Sequence, residues 1–107
     1  MDLAQKKCVA CEGDAMPLTP MEAKAMLAQL TGWSLSVDSK NISRQFTFKN
    51  FKDAMAFANN IADIAETEGH HPDLSVGWGR VGVELSTHAI GGLSENDFIL
   101  AAKIDVI

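Results

Sequence analysis

Two pairs of short alternating stretches constrain this chain more than any other feature. In the first pair WSLSV (33–37) and ISRQFTF (42–48) are separated only by DSKN. In the second, DLSVGW (73–78) and VGVELSTH (81–88) are separated only by Gly79-Arg80. Parallel strands need a crossover of roughly a dozen residues or more, so connections this short force each pair into an antiparallel hairpin. Within them Ile42, Phe46 and Phe48 share one face, opposite Ser43, Gln45 and Thr47; Val81, Val83 and Leu85 oppose Glu84, Ser86 and His88. One sheet face therefore has to be covered, and the other can meet water.

Helical patterns surround the hairpins. TPMEAKAMLAQL opens with Thr19 as a cap, Pro20 at the first helical position and Glu22 closing a capping box; Gly32 is the expected stop. NFKDAMAFANNIADIAETEG is the longest helix, with Phe51, Ala54, Met55, Ala58, Ile61, Ala62 and Ala65 at helical spacing, Asn50 as cap and Gly69 as stop. Ser94 caps a last helix, ENDFILAAKIDVI, which is apolar nearly all round. The order α-β-β-α-β-β-α predicts an α+β fold: a four-stranded antiparallel sheet with three helices on one face. The other, polar face is expected to carry His88. Residues 1–18 read as an irregular lead and 19–107 as a single domain. One sheet face does not easily cover so apolar a last helix, so an oligomer contact through it or through a sheet edge is expected.

Composition narrows the function. The 107 residues carry a net charge of −5, and binding to nucleic acid rests on cationic contacts to phosphate that no patch here supplies. No apolar run approaches the ~20 residues that span a bilayer. The first residues, MDLAQKKCVACEGD, hold no apolar signal region, which predicts a cytoplasmic protein. Cys8 and Cys11 form a CxxC with no second pair to complete a zinc site and no preceding strand to make a redox motif. They read as reduced thiols in a mobile segment.

Chemistry concentrates in EGHHPDLSVGW (68–78), which holds two of the three histidines. Adjacent residues diverge on helix and strand alike, so His70 and His71 are poor chelators of one ion. Acid/base work asks less: imidazole titrates near neutrality, and a helix C-terminus favours its protonated form. Pro72 holds His71 in an extended conformation. The blander readings are a solvated loop for the pair, a strand-end residue for His88, a solvated Glu66, a helix-capping Asp97, and core positions for Trp33 and Trp78.

The spacing of these residues is distinctive as a set. Glu66, three residues, His70-His71-Pro72, five residues, Trp78, nine residues, His88, eight residues and Asp97 together resemble the signature of the pterin-4a-carbinolamine dehydratase family. LTGW (30–33), FTFKNFKDAMAF (46–57) and THAIGGLSENDF (87–98) extend the likeness from about Leu18 to the C-terminus. One departure is Asn96, where some relatives carry a basic residue before the motif aspartate. The resemblance implies dimers or tetramers of this fold. It also implies dehydration of 4a-hydroxytetrahydropterin to quinonoid dihydropterin, without metal or organic cofactor, supporting tetrahydrobiopterin recycling for aromatic amino acid hydroxylation. The catalytic residues it implies are His70, His71 and His88, with Glu66, Asp97, Trp33 and Pro72 around the substrate. The alternative is a non-catalytic binding or scaffold module on the same fold, a transcription coactivator or an assembly factor.

Overall fold

The structure, a computed structural model, describes residues 3–9 and 16–107. Its elements are a 3-10 turn (Leu3–Gln5), α1 (Pro20–Leu27), β1 (Ser34–Leu35), β2 (Ile42–Thr47), α2 (Phe51–Glu68), β3 (Asp73–Gly77), β4 (Arg80–Leu85), a second 3-10 turn (His88–Ile90) and α3 (Glu95–Asp105). The four strands form one sheet in the order β1-β2-β4-β3, every neighbouring pair antiparallel. The expected α+β fold is the observed one. The central β2–β4 pairing joins the hairpins and aligns Ile42 with Leu85 and Phe46 with Val81 on the helix-covered face.

Local chemistry explains the element ends. The Thr19 hydroxyl accepts the Glu22 N–H at 3.2 Å while the Glu22 carboxylate accepts the Thr19 N–H at 2.8 Å, closing the capping box of α1. That helix stops at Leu27, not at Gly32 as the pattern predicted, because its exit tightens into bonds from Gln29 N–H to Met26 O and Leu30 N–H to Leu27 O. β1 is also shorter than its alternation implied. Only Ser34 and Leu35 have partners in β2, and the Ser36 hydroxyl gathers the Lys40 and Asn41 N–H groups into a turn. The second hairpin turns at Trp78-Gly79, one residue before the expected pair, since Gly77 still faces Arg80. Gly79 has φ 72°, and a Cβ there would stand 2.9 Å from the Phe48 carbonyl oxygen. Trp78, expected in the core, is an exposed turn residue.

α2 buries Ala54, Ala58, Ile61 and Ala65 and leaves Phe51, Met55 and Ala62 exposed, so the covered stripe is narrower than the apolar pattern. Alanines in that stripe let the helix lie close to the sheet, and the larger side chains beside it stay at the rim. α3 is enclosed by α1, α2 and the 3-10 turn at Leu3–Gln5, whose Leu3 is buried in the core. The chain's own N-terminal segment thus packs onto this apolar helix. Cys8 is anchored rather than loose: its N–H donates to Glu68 Oε1 at 2.9 Å, and its thiol faces the Asn96 carbonyl at 3.6 Å. Burial, reinforced by Glu68, pushes that thiol up to about 12, which removes it as a nucleophile near neutral pH. Cys11 lies outside the described residues.

Trp33 packs edge-on against Phe46 and donates its indole N–H to Asp105 at 2.9 Å, while Arg44 reaches the same carboxylate at 3.0 Å and lies over the Phe46 ring. This knot ties β1, β2 and the C-terminal end of α3. Burial raises the Asp105 pKa, with Trp33 and Arg44 opposing it. A raised folded value means the neutral acid is favoured by folding. That contribution is fully present below the ordinary value of 3.8 and is lost as pH rises through the folded one. The unfolding free energy of the native chain minus that of Asp105→Asn should therefore grow as pH falls from neutrality toward the carboxylate range. Urea titrations at several pH values measure it, and a difference that shrinks on acidification contradicts the assignment. Asp105→Ala, which strands the indole N–H, should cost about 1–3 kcal/mol.

Candidate active site

α2 ends at Gly69, whose φ of 67° provides the left-handed cap, and the Gly69 and His70 N–H groups both return to the Ala65 carbonyl. The two histidines that follow diverge. His70 turns inward and places Nε2 2.6 Å from Asp97 Oδ1, with 12% and 0% of the two side chains exposed. His71 turns outward and places Nε2 2.5 Å from Glu66 Oε2, one turn back on α2, with 60% and 77% exposed. A carboxylate can only accept, so in both pairs Nε2 carries the proton. Each imidazole keeps Nδ1 for another partner: a lone pair when neutral, an N–H when protonated.

Asp97 does more than hold His70. Its Oδ2 accepts the Thr87 hydroxyl at 2.8 Å and the Ser94 N–H at 3.0 Å. With its one hydrogen committed to Asp97, Thr87 accepts from the Ser94 hydroxyl, 2.8 Å away. The capping role and the histidine-holding role therefore coexist in one buried carboxylate. His88 was expected on the polar sheet face at the end of a strand. Instead β4 stops at Leu85, Thr87 bridges to Gly92, and His88 begins the second 3-10 turn. It is 79% exposed, and its Nε2 stands 3.8 Å from Asp73 Oδ2.

Despite their different directions the three histidines border one cleft of about 380 Å³, shared with Gly69, Ser86, Thr87, Ala89, Asn96 and Val9. Pro72 links this cleft to β3 without lining it. Trp33 does not reach it: it sits at the Asp105 end of α3, with Asp97 at the other. A larger groove of about 600 Å³ on the polar sheet face, between Ser34, Ser43, Gln45 and Ser75, contains no histidine. Among the described residues no three His, Cys, Asp or Glu side chains converge as metal ligands. Sequence reasoning missed Thr87 and Val9. Thr87 adjoins His88, but nothing in a single threonine signals a buried carboxylate partner; Val9 lies 61 residues before His70 and could be found only by folding the chain.

The model of the family described as pterin 4 alpha carbinolamine dehydratase matches residues 16–107. The chain belongs to this family. A provisionally named pterin-4-alpha-carbinolamine dehydratase of Halorhodospira halophila is 48% identical over 107 residues, covering 100% of this chain and 98% of its own. One of the same name from Nitrosomonas europaea is 54% identical over 107 residues, covering 99% and 93%. Among solved structures, one described as a transcriptional coactivator/pterin dehydratase from Brucella melitensis has a TM-score of 0.79 at 36% identity, over 84% of this chain and 96% of that one. A pterin dehydratase-like protein described as a RuBisCO assembly factor of the alpha-carboxysome shares the fold, with a TM-score of 0.61 at 24% identity, over 70% of this chain and 87% of that one. The fold is thus shared by proteins described by roles other than dehydration alone.

Asp97→Ala leaves Thr87, Ser94 and His70 without their acceptor. It should lower stability by at least about 1.5–3 kcal/mol, the worth of a single hydrogen bond to a charged group. Asp97→Asn can still accept from Thr87 and Ser94 but turns an NH2 toward His70, so the neutral His70 proton should move to Nδ1. Thermal unfolding reads the first effect and imidazole nitrogen chemical shifts the second; an unaltered tautomer in Asp97→Asn would show that the carboxylate does not set it.

Proposed function

We propose that this chain dehydrates 4a-hydroxytetrahydropterins to quinonoid dihydropterin and water, using its histidines as general acid and base. The observation that carries the reading is the cleft itself, where two carboxylate-backed imidazoles, His70 and His71, meet a third, exposed one, His88. The reaction breaks the C4a–O bond and forms a C4a=N5 double bond. The hydroxyl must receive a proton to leave as water, and N5 must give one up as its lone pair enters the new bond. One protonated and one neutral imidazole meet both needs, and exchange of protons with solvent restores them.

His71 is assigned as the acid. Its Nε2 is held by Glu66, so Nδ1 is the atom that delivers the proton to the leaving hydroxyl, and Glu66 stabilises the imidazolium as a carboxylate does in a catalytic triad. His88 takes the second acid/base role. His70, fixed by the buried Asp97, binds and orients the ring. Pro72 restrains the backbone beside His71. Trp33 is assigned to the core and not to the substrate. No metal or organic cofactor is required by this scheme. The proposal extends to a cytoplasmic homodimer or homotetramer that returns the carbinolamine left by aromatic amino acid hydroxylases to the tetrahydrobiopterin pool. A scaffold or coactivator role on the same fold would need no turnover, and a dehydration assay separates it from the enzyme.

His71→Ala should fold normally, because the side chain is exposed, and should lose about 10²–10⁴ in turnover, the usual worth of a general acid. Glu66→Gln should lose less. His70→Ala should raise KM more than it lowers kcat. Pretreatment with a strong chelator should leave the wild-type rate unchanged. Full turnover by a folded His71→Ala protein, or activity lost to the chelator and restored by zinc or iron, overturns the scheme.

A further inference from the structure

Residues 3–9 lie outside the stretch 16–107 that the family model matches, yet they are bound along their length to the elements that build the cleft. Leu3 is buried in the core. The Ala4 carbonyl accepts from Lys103 Nζ at 2.7 Å, Lys6 pairs with Glu95 at 2.7 Å, and the Cys8 N–H donates to Glu68 at 2.9 Å. The last attachment differs in kind. Asn96, 4% exposed, grips the Val9 backbone at both ends: Oδ1 accepts the Val9 N–H at 3.0 Å, and Nδ2 donates to the Val9 carbonyl. A side-chain amide that pairs with both groups of one residue acts as a fragment of β-ladder, fixing its position and its orientation. Val9 is thereby presented at the cleft beside His70, His71 and His88. Asn96 directly precedes Asp97, so one turn of α3 secures both a wall of the cleft and the imidazole opposite it.

We propose that Val9 is a specificity-determining wall of the histidine cleft, that Asn96 is its positioning residue, and that the group sorted there is the C6 substituent of the pterin. This rests on the dehydratase reading. C6 is bonded to N5, so when C4a and N5 face the imidazoles the C6 substituent leaves the ring within one bond of the reacting edge and passes beside the cleft wall. A branched apolar side chain on a doubly held backbone sorts substituents by size; Val9 is 71% exposed, so its effect falls below the roughly 10-fold or more that one methylene is worth inside an enclosed apolar pocket. Alanine at 96 loses both bonds. Aspartate at 96 keeps the acceptor for the Val9 N–H but sets a carboxylate oxygen against the Val9 carbonyl, so it releases the wall despite its matching shape.

The test compares 4a-hydroxytetrahydropterins carrying a 6-methyl or a 6-dihydroxypropyl group, in the wild type and in Val9→Ala, Asn96→Ala and Asn96→Asp. Val9→Ala alters an exposed side chain and keeps the case decidable should a position-96 variant not fold. The ratio of the two KM values is expected to shift in each folded variant by about a few-fold, below the enclosed-pocket value, with KM changed more than kcat. Exchange of the Val9 amide hydrogen should quicken in both position-96 variants. An active wild type whose KM ratio is unaltered in Val9→Ala overturns the wall. A wild type inactive on both pterins overturns the dehydratase reading, and the wall's role with it.

Discussion

One buried carboxylate holds the histidine-bearing end of this molecule together. Asp97 is completely excluded from water, and its two oxygens take donors from three separate places: the His70 ring after α2, the Thr87 hydroxyl after β4, and the Ser94 N–H that opens α3. A charge buried without partners would be expelled or neutralised at large cost. Asp97 is tolerable only while all three segments stay in place, so the carboxylate makes their positions depend on one another. The histidine loop, the loop carrying His88 and the helix N-terminus behave as one body because a single anion needs all of them.

The same pairing of imidazole with carboxylate serves two different ends. His70 and Asp97 lie in a poorly hydrated interior, where a hydrogen bond is strong and an unsatisfied group is costly, so that ring is fixed. His71 and Glu66 are mostly in water, where an ion pair is weakly stabilising and screened. The exposed pair contributes little to stability and can trade protons with solvent. The proposed dehydration, which must deliver one proton and remove another, would use this contrast of a rigid ring with accessible ones. The amide clamp of Asn96 on Val9 adds a third means of positioning, neutral and geometric, on the turn of α3 that bears Asp97.

The sequence by itself determined the element order, the antiparallel pairing within each hairpin and the principal caps, because these follow from local rules. Alternation of period two, turns too short for a crossover, Thr19 with Glu22, Asn50 and Gly69 each act over a few residues. The motif spacing also carried the family, since fixed gaps from Glu66 to Asp97 survive without any coordinates. Local rules failed where a neighbour distant in sequence was decisive. β1 pairs through only two residues although β2 runs for six; Trp78 is exposed because the second hairpin turns one residue early; Phe51 and Met55 are exposed because Ala54, Ala58, Ile61 and Ala65 set the contact line of α2.

Which carboxylate holds which histidine was likewise beyond the sequence. Glu66 and Asp97 were both recognisable as acidic neighbours, but only the tertiary structure directs His71 to the first and His70 to the second, because adjacent side chains diverge at the left-handed exit from α2. Only folding takes His88 off the sheet face into a 3-10 turn, carries Trp33 to the far end of α3, and lays the N-terminal segment over that helix. Backbone pattern is written in short-range sterics and periodicity. The site is made of side chains drawn together across the whole chain, and their meeting is decided by which buried polar groups must find one another.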